Sequence, residues 1–363
     1  MTDPVSRPSL SWRGAARPAA PAYAALDLGT NNCRLLIAMP TAQGFRVVDS
    51  FSRVVRLGEG LAASGRLSQA AMDRTLNALH VCVDRIGRRR LRGLRAIATE
   101  ACRRAENGRS FLRRVEHETG LAIEMISTRE EAELALESCA PLLRTAPGSG
   151  QSRALLFDIG GGSTEIAWVR LDKRSRPELI GYRSLPLGVV TLAEQFGDDA
   201  FTEAGYTSMV RFVCDQLRSF EALHCIGREV AAGRVRLIGT SGTVTTLASI
   251  ALELPRYRRS AVDGIALPSS SALQAAGALR RMGRSGMEAH SCIGPDRARL
   301  VLPGCAIFEA IHRRWPCDAV MVADRGLRDG MLLRMMRDRS AQLPMPPFPI
   351  PSLSVAAGMV PSA

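Results

Sequence analysis

The 363-residue sequence has no Cys-x-x-Cys pair, hardly any lysine, few aromatics and no apolar run long enough to cross a bilayer. Each absence excludes something. Cys33, Cys82, Cys102, Cys139, Cys214, Cys225, Cys292, Cys305 and Cys317 are odd in number and unpaired in spacing, which excludes a structural zinc site or a disulfide framework. They read as reduced, mostly buried thiols of a reducing compartment. Without a bilayer-length apolar run or an apolar signal core at the N-terminus, the sequence predicts a cytoplasmic protein with no membrane partner. Aromatics are 5% of residues, no basic stripe carries interleaved rings, and no zinc-finger, homeodomain or RRM signature occurs. A nucleic-acid partner is therefore not expected.

What is present is positive charge and enough apolar content for two ordinary domains. Lys and Arg number 48 against 35 Asp and Glu, a net +13 carried almost wholly by arginine, and 46% of residues are hydrophobic. Such a balance suits a polyanionic ligand, because guanidinium groups pair bidentately with phosphate oxygens. Most of these arginines nonetheless read as solvated surface.

The chain is organised on Ala154-Leu-Leu-Phe-Asp-Ile-Gly-Gly-Gly-Ser-Thr-Glu-Ile-Ala-Trp-Val169, which reads as strand, tight loop, strand. Gly160, Gly161 and Gly162 are free to take positive φ and to let a bound group approach the backbone. Free N–H groups in such a turn form an anion-binding concavity, while Asp158 and Glu165 repel a bare phosphate unless a cation lies between. The stretch predicts a phosphate plus a divalent metal. Tyr23 to Ala38 echoes it with Asp27-Leu28-Gly29 between two apolar runs, and Thr240-Ser-Gly-Thr243 follows a third apolar strand. One Asp-x-Gly is an ordinary turn. Two matching hairpins and a third loop together point to a site.

These residues resemble the actin, Hsp70 and sugar-kinase superfamily and, within it, the exopolyphosphatase and guanosine pentaphosphate phosphatase (Ppx/GppA) family. The narrower likeness rests on Asp27-Leu-Gly-Thr-Asn31, Ala98-Thr-Glu-Ala-Cys-Arg-Arg-Ala-Glu-Asn107, Ile126-Ser-Thr-Arg-Glu-Glu-Ala132, Asp158 to Glu165, Leu185-Pro-Leu-Gly-Val189 and Thr240 to Thr243, in the family's order. The resemblance implies an α/β fold of two related actin-like (ribonuclease H-like) domains, mixed sheets flanked by helices, with a phosphate-binding cleft between them. It implies a hydrolase that releases terminal phosphate from inorganic polyphosphate or guanosine pentaphosphate, with Glu131 as catalytic base and Arg103 reaching the transferred phosphate. Phosphate binding falls to Gly29, Thr30, Asn31, Asn32, Gly160, Gly161, Gly162, Ser163, Thr240, Ser241, Gly242 and Thr243. Asp158 and Glu165, helped by Asp27, would hold Mg²⁺ or Mn²⁺. Read from its residue type alone, Glu131 is a surface acid. A phosphotransferase of the wider superfamily and a non-catalytic polyphosphate or alarmone sensor are the rival readings. Pairing of two copies through the second domain, as a homodimer, is also implied. Asn32 stands where the family usually has serine and Cys33 where an aromatic is common, so a hydroxyl ligand is lost there.

The order of elements follows. Residues 1–21, rich in Pro, Ala, Ser and Arg, are expected to be a disordered basic leader, and residues 338–363 a disordered Pro-rich tail. Domain I is expected at 22–133 and domain II at 134–337, with the last helix packing back on domain I. No C-terminal helical module of longer family members is expected after residue 336. Met72, Leu76, Leu79, Val83 and Ile86 predict a helix capped by Ser68. Leu121 to Ile126 predicts a strand, and Ser127-Thr-Arg-Glu130 a capping box. The run Arg88-Arg-Arg-Leu-Arg-Gly-Leu-Arg95 reads first as a solvated helix end and second as a landing strip for a long polyphosphate.

Overall fold

The computed structural model describes residues 21–145, 150–171 and 177–338. The expected leader and tail lie outside the described residues except at their inner margins. The first half runs β1 (Ala22–Leu28), β2 (Asn32–Thr41), β3 (Gly44–Val54), α1 (Leu61–Ser64), α2 (Gln69–Gly87), β4 (Leu91–Ala98), α3 (Glu100–Arg104), α4 (Gly108–Thr119) and β5 (Glu124–Met125). The chain then crosses through α5 (Thr128–Thr145) to β6 (Arg153–Ile159), β7 (Thr164–Arg170), β8 (Glu178–Leu185), α6 (Val189–Phe196), α7 (Glu203–His224), α8 (Ile226–Ala231) and β9 (Val235–Thr240). It ends with α9 (Gly242–Ala251), α10 (Arg259–Val262), β10 (Ala266–Pro268), α11 (Ser269–Ala289), α12 (Pro295–Arg314), β11 (Ala319–Ala323) and α13 (Leu327–Arg337).

Two mixed sheets result, in the orders β3-β2-β1-β4-β5 and β8-β7-β6-β9-β11-β10. Each begins with an antiparallel meander and continues with parallel strands, so the second sheet repeats the first and adds one edge strand. Three apolar cores hold them. One lies between the first sheet and helices α2 and α4, another between the second sheet and helices α7, α9, α11 and α12. The third sits between the sheets, where Ala25, Leu36, Leu156, Ala167 and Ile238 meet Leu134 and Leu142 of α5 and Met331 and Leu332 of α13. A Cβ at Gly330 would strike the α5 backbone at Leu134, so α13 and α5 cross at the closest approach glycine permits. Helix α13 also packs on β1, and the division expected after residue 133 falls inside α5.

Local expectations differ from the fold in three places. Ser68 caps α2 by accepting from the Ala71 N–H, as its sequence suggests. Only Glu124 and Met125 of the stretch predicted as a strand from Leu121 pair with β4, because Leu121 turns into the core beneath α4. The Ser127 box is half formed: its hydroxyl accepts from the Glu130 N–H, while the Glu130 carboxylate turns instead to Arg95 and Arg334. The arginine run starts where α2 has ended, with Arg88 as its C-cap; Leu91 to Arg95 belong to β4, and Arg95 pairs with Glu124 and Glu130. Seven cysteines are buried, Cys214 is half-buried and Cys225 exposed. No described helix is long and apolar enough to cross a membrane.

Candidate active site

The two hairpins are built alike. In β1–β2, Asp27 is paired directly with Arg34; in β6–β7, Asp158 is paired directly with Glu165. Directly opposed residues share a face of an antiparallel pair. Each hairpin closes with the same bond, Gly29 N–H to the Asn32 carbonyl and Gly160 N–H to the Ser163 carbonyl, both 2.9 Å. Arg34 therefore occupies in the first hairpin the place of Glu165 in the second. The duplication carries opposite charges at equivalent positions.

The glycines of the second loop are needed for a reason other than the expected one. None of Gly29, Gly160, Gly161 and Gly162 has positive φ. What they provide is space, since a Cβ on Gly162 would stand 2.6 Å from Thr30 Oγ1, and one on Gly161 would stand 3.2 Å from Thr30 Cβ. The two loops touch across the cleft. Gly160 and Gly161 turn their carbonyls to the Val189 and Val190 N–H groups at the start of α6, at 3.0 and 2.8 Å. Gly188 admits that approach, because a Cβ there would lie 2.5 Å from both carbonyl oxygens. Gly162→Ala is expected to destabilise the protein by about 1–3 kcal/mol through overpacking. Calorimetry should show the loss largely recovered when Thr30→Ala is added, and no recovery would refute the contact.

Between the domains lies a cleft of about 860 Å³. Asp27, Glu131, Asp158, Glu165, Gly29, Thr30, Asn31, Asn32, Gly160, Gly161 and Thr240 to Thr243 all line it; Gly162, Ser163 and Arg103 do not. The third loop joins β9 to α9. Ser241 there takes φ 119, rare for a residue with a side chain, and its hydroxyl caps α9 by accepting from the Thr243 N–H. The Thr240 hydroxyl donates to the Arg325 carbonyl, and Thr243 packs under α12 at Gly304.

Glu131 sits in the first turn of α5, buried at 6% exposure. Burial first, and Glu165 next, raise its carboxyl well above the usual glutamate range, against the pull of Arg103. The Arg103 guanidinium lies behind it, donating to Glu131 Oε2 at 3.0 Å, the Ile126 carbonyl at 2.9 Å and Glu100 Oε2 at 2.8 Å. The resemblance aims Arg103 at the phosphate; in this structure its guanidinium bonds Glu131 and Glu100 and does not line the cleft. Burial pushes Asp158 up to about 6. Burial and then Asp158 push Glu165 up to about 7, although the Ser184 hydroxyl donates to it at 3.0 Å.

Sequence reasoning missed the cations of the cleft. Arg259 is paired with Asp324 and Asp329, and Arg325 with Asp263. Arg34, Arg297 and Arg328 also line the cleft, and none of them forms an ion pair with a described residue. Burial lowers Arg297 and Arg328, and Arg34 lowers both further. Asp27 and Asp158 attract Arg34, and Asp27 also attracts Arg328, but with no direct ion pair to consume them the three guanidinium groups leave the cleft open to an anion. The hairpin spacing could have singled out Arg34; nothing local marks Arg297.

For a divalent ion, the fit is partial but chemical. Among the described residues no three His, Cys, Asp or Glu side chains gather closely enough to hold a metal alone. Yet Asp27 Oδ1 is buried with no hydrogen-bond partner, and Asp158 and Glu165 lie side by side with raised pKa values. That set suits an ion that keeps several waters and takes one or two carboxylates plus substrate oxygens, as Mg²⁺ does.

The chain is similar to known proteins. Over 334 residues the chain is 30% identical to the guanosine-5'-triphosphate,3'-diphosphate pyrophosphatase of Aeromonas salmonicida, covering 88% of this chain and 62% of that protein. It is 30% identical over 326 residues to exopolyphosphatase 2 of Mycobacterium tuberculosis, covering 86% of this chain and 98% of the other. The crystal structure of the Aquifex aeolicus Ppx/GppA family member superposes with a TM-score of 0.69 at 26% identity, over 87% of this chain and 98% of that one. The Ppx/GppA phosphatase family pattern matches residues 36–339, and with two duplicated hairpins, a third loop and an interdomain cleft in place, the chain belongs to that family.

Proposed function

We propose that the protein is a Mg²⁺-dependent phosphoanhydride hydrolase, releasing terminal phosphate from inorganic polyphosphate or guanosine pentaphosphate. The observation that carries this reading is the convergence, in one cleft, of a buried carboxylate on α5 with both hairpin loops and three unpaired arginines. The Gly161 N–H, which lines the cleft, has no acceptor among the described residues, so it is available to a phosphate oxygen. Arg34, Arg297 and Arg328 neutralise the terminal phosphates and so fix the scissile bond. Glu131, ionised, accepts a proton from the attacking water, and Arg103 keeps its carboxylate oriented from behind. Asp158 and Glu165, with Asp27, are the residues that would hold Mg²⁺; when bound, the ion offsets charge on the phosphates and their leaving group.

The test is phosphate release by the purified full chain with Mg²⁺, offered long-chain polyphosphate and guanosine pentaphosphate in parallel. Release from either supports hydrolysis; nucleotide-dependent phosphorylation of a small acceptor in its place would favour a kinase. Two further outcomes are expected. Replacing Arg297 or Arg328 with alanine should raise KM at least tenfold, since a hydrogen-bonded charge contact is worth about 1.5–3 kcal/mol, and an unchanged KM would remove them from the substrate site. Arg103→Ala withdraws the charge that holds Glu131 down, so the acid limb of the kcat profile should move to higher pH.

A further inference from the structure

We propose that Glu194 on α6 is a positioning residue that clamps the two phosphate loops in register; this rests on the hydrolase reading above. The segment from Val55 to Gly60 runs beside the first phosphate loop. It braces the first phosphate loop by backbone alone: the Val55 and Arg56 N–H groups donate to the Asn31 carbonyl at 2.9 and 3.0 Å, and the Gly58 N–H to the Thr30 carbonyl at 2.9 Å. Arg74 of α2 fixes the segment to the first domain, with Nε donating to the Val55 carbonyl at 3.0 Å and Nη2 to Glu59 at 2.7 Å. Leu57 is fully buried beside it. Brace and loop therefore move as one body.

Across the cleft, α6 holds the second phosphate loop. Its first two N–H groups bind the Gly160 and Gly161 carbonyls. About one and a half turns further along, Glu194 Oε1 accepts from the Gly60 N–H at 3.0 Å. One short helix thus grips one loop directly and the other through its brace. The second polar link at this rim, Arg56 to Asp296, is 3.7 Å long between side chains 54% and 70% exposed. Pairs so open to water contribute little. The Gly60–Glu194 bond is exposed as well, but at 3.0 Å from a backbone N–H to a carboxylate it is the shorter and better fixed of these two described links, and it favours the closed arrangement, in which Gly162 abuts Thr30.

A ligand that binds the closed cleft gains apparent affinity in proportion to how much of the protein is already closed. The Glu194 clamp therefore acts on KM, with little effect on the chemical step. In Glu194→Ala, KM for the hydrolysed substrate should rise about three- to tenfold, the range for one net hydrogen bond, with kcat near wild type. Glu194→Gln keeps an acceptor oxygen and should restore wild-type KM. Hydrogen exchange of the full chain without substrate gives a reading independent of hydrolysis. Peptides covering residues 55–61 should exchange faster in Glu194→Ala, while those from α7 and α12 stay unchanged. A wild-type KM in Glu194→Ala, unchanged exchange over 55–61, or a glutamine variant as impaired as the alanine one would each overturn the clamp. If the wild-type protein hydrolyses neither substrate, the hydrolase reading fails, and exchange alone decides on the clamp.

Discussion

Replacing Glu131 with glutamine is expected to lower kcat for phosphate release by about 10²–10⁴-fold, the usual contribution of a positioned general base. The substitution keeps the shape of the side chain and leaves Arg103 bonded to Glu100 and the Ile126 carbonyl, so the variant should fold. Substrate binding should change little, because the arginines and loops that hold phosphate are untouched. The pH profile makes the test specific. Burial and the nearby Glu165 raise the Glu131 carboxyl, so the group is protonated, and useless as a base, over a pH range in which an ordinary glutamate is ionised. Wild-type kcat should climb with pH as Glu131 ionises, whereas residual turnover in the glutamine variant should lack that limb. Turnover within threefold of wild type would remove Glu131 from the chemistry.

The second large effect concerns the metal-free protein. Asp158 and Glu165 have folded pKa values near 6 and 7, above their ordinary 3.8 and 4.5. Between about pH 4 and 7 the folded state then binds more protons than the unfolded state, so stability must fall as pH rises through that window. Each shift corresponds to about 3 kcal/mol at neutral pH. The two do not add in full, since Asp158 is part of what raises Glu165. Calorimetry in chelator should show the melting temperature several °C lower at pH 7.5 than at pH 5. Mg²⁺ at pH 7.5 should recover that loss, because an ion that binds only the folded state stabilises it by mass action. Asp158→Asn, which removes one buried charge, should melt above wild type in chelator at pH 7.5. A lower melting temperature for Asp158→Asn would show that the carboxylate is satisfied in the fold and would sink the electrostatic account.

The stretch from Ala154 to Val169 and its echo from Tyr23 to Ala38 were legible because a strand, a tight loop and a strand are local events. Apolar runs, an acid and glycines suffice to specify them, and the hairpin register then fixes Asp158 beside Glu165 and Asp27 beside Arg34. The amphipathic stripe of α2 and its Ser68 cap were legible for the same reason. Ion pairing was not. Nothing in the sequence around Arg103 says that Glu100 and Glu131 will take its guanidinium, nor does anything near Arg297 say that it will reach the cleft without a counter-ion. Residue type likewise made Glu131 a surface acid, and it is α5, wedged between the two sheets, that buries it at the cleft. Periodicity and backbone sterics are enough to specify the two hairpins, their acids and the glycines of their loops. Why those glycines are required, which arginines lack an ion pair and which carboxylates are raised are settled by folding, because contact between Gly162 and Thr30, charge pairing and desolvation all depend on residues brought together from distant parts of the chain.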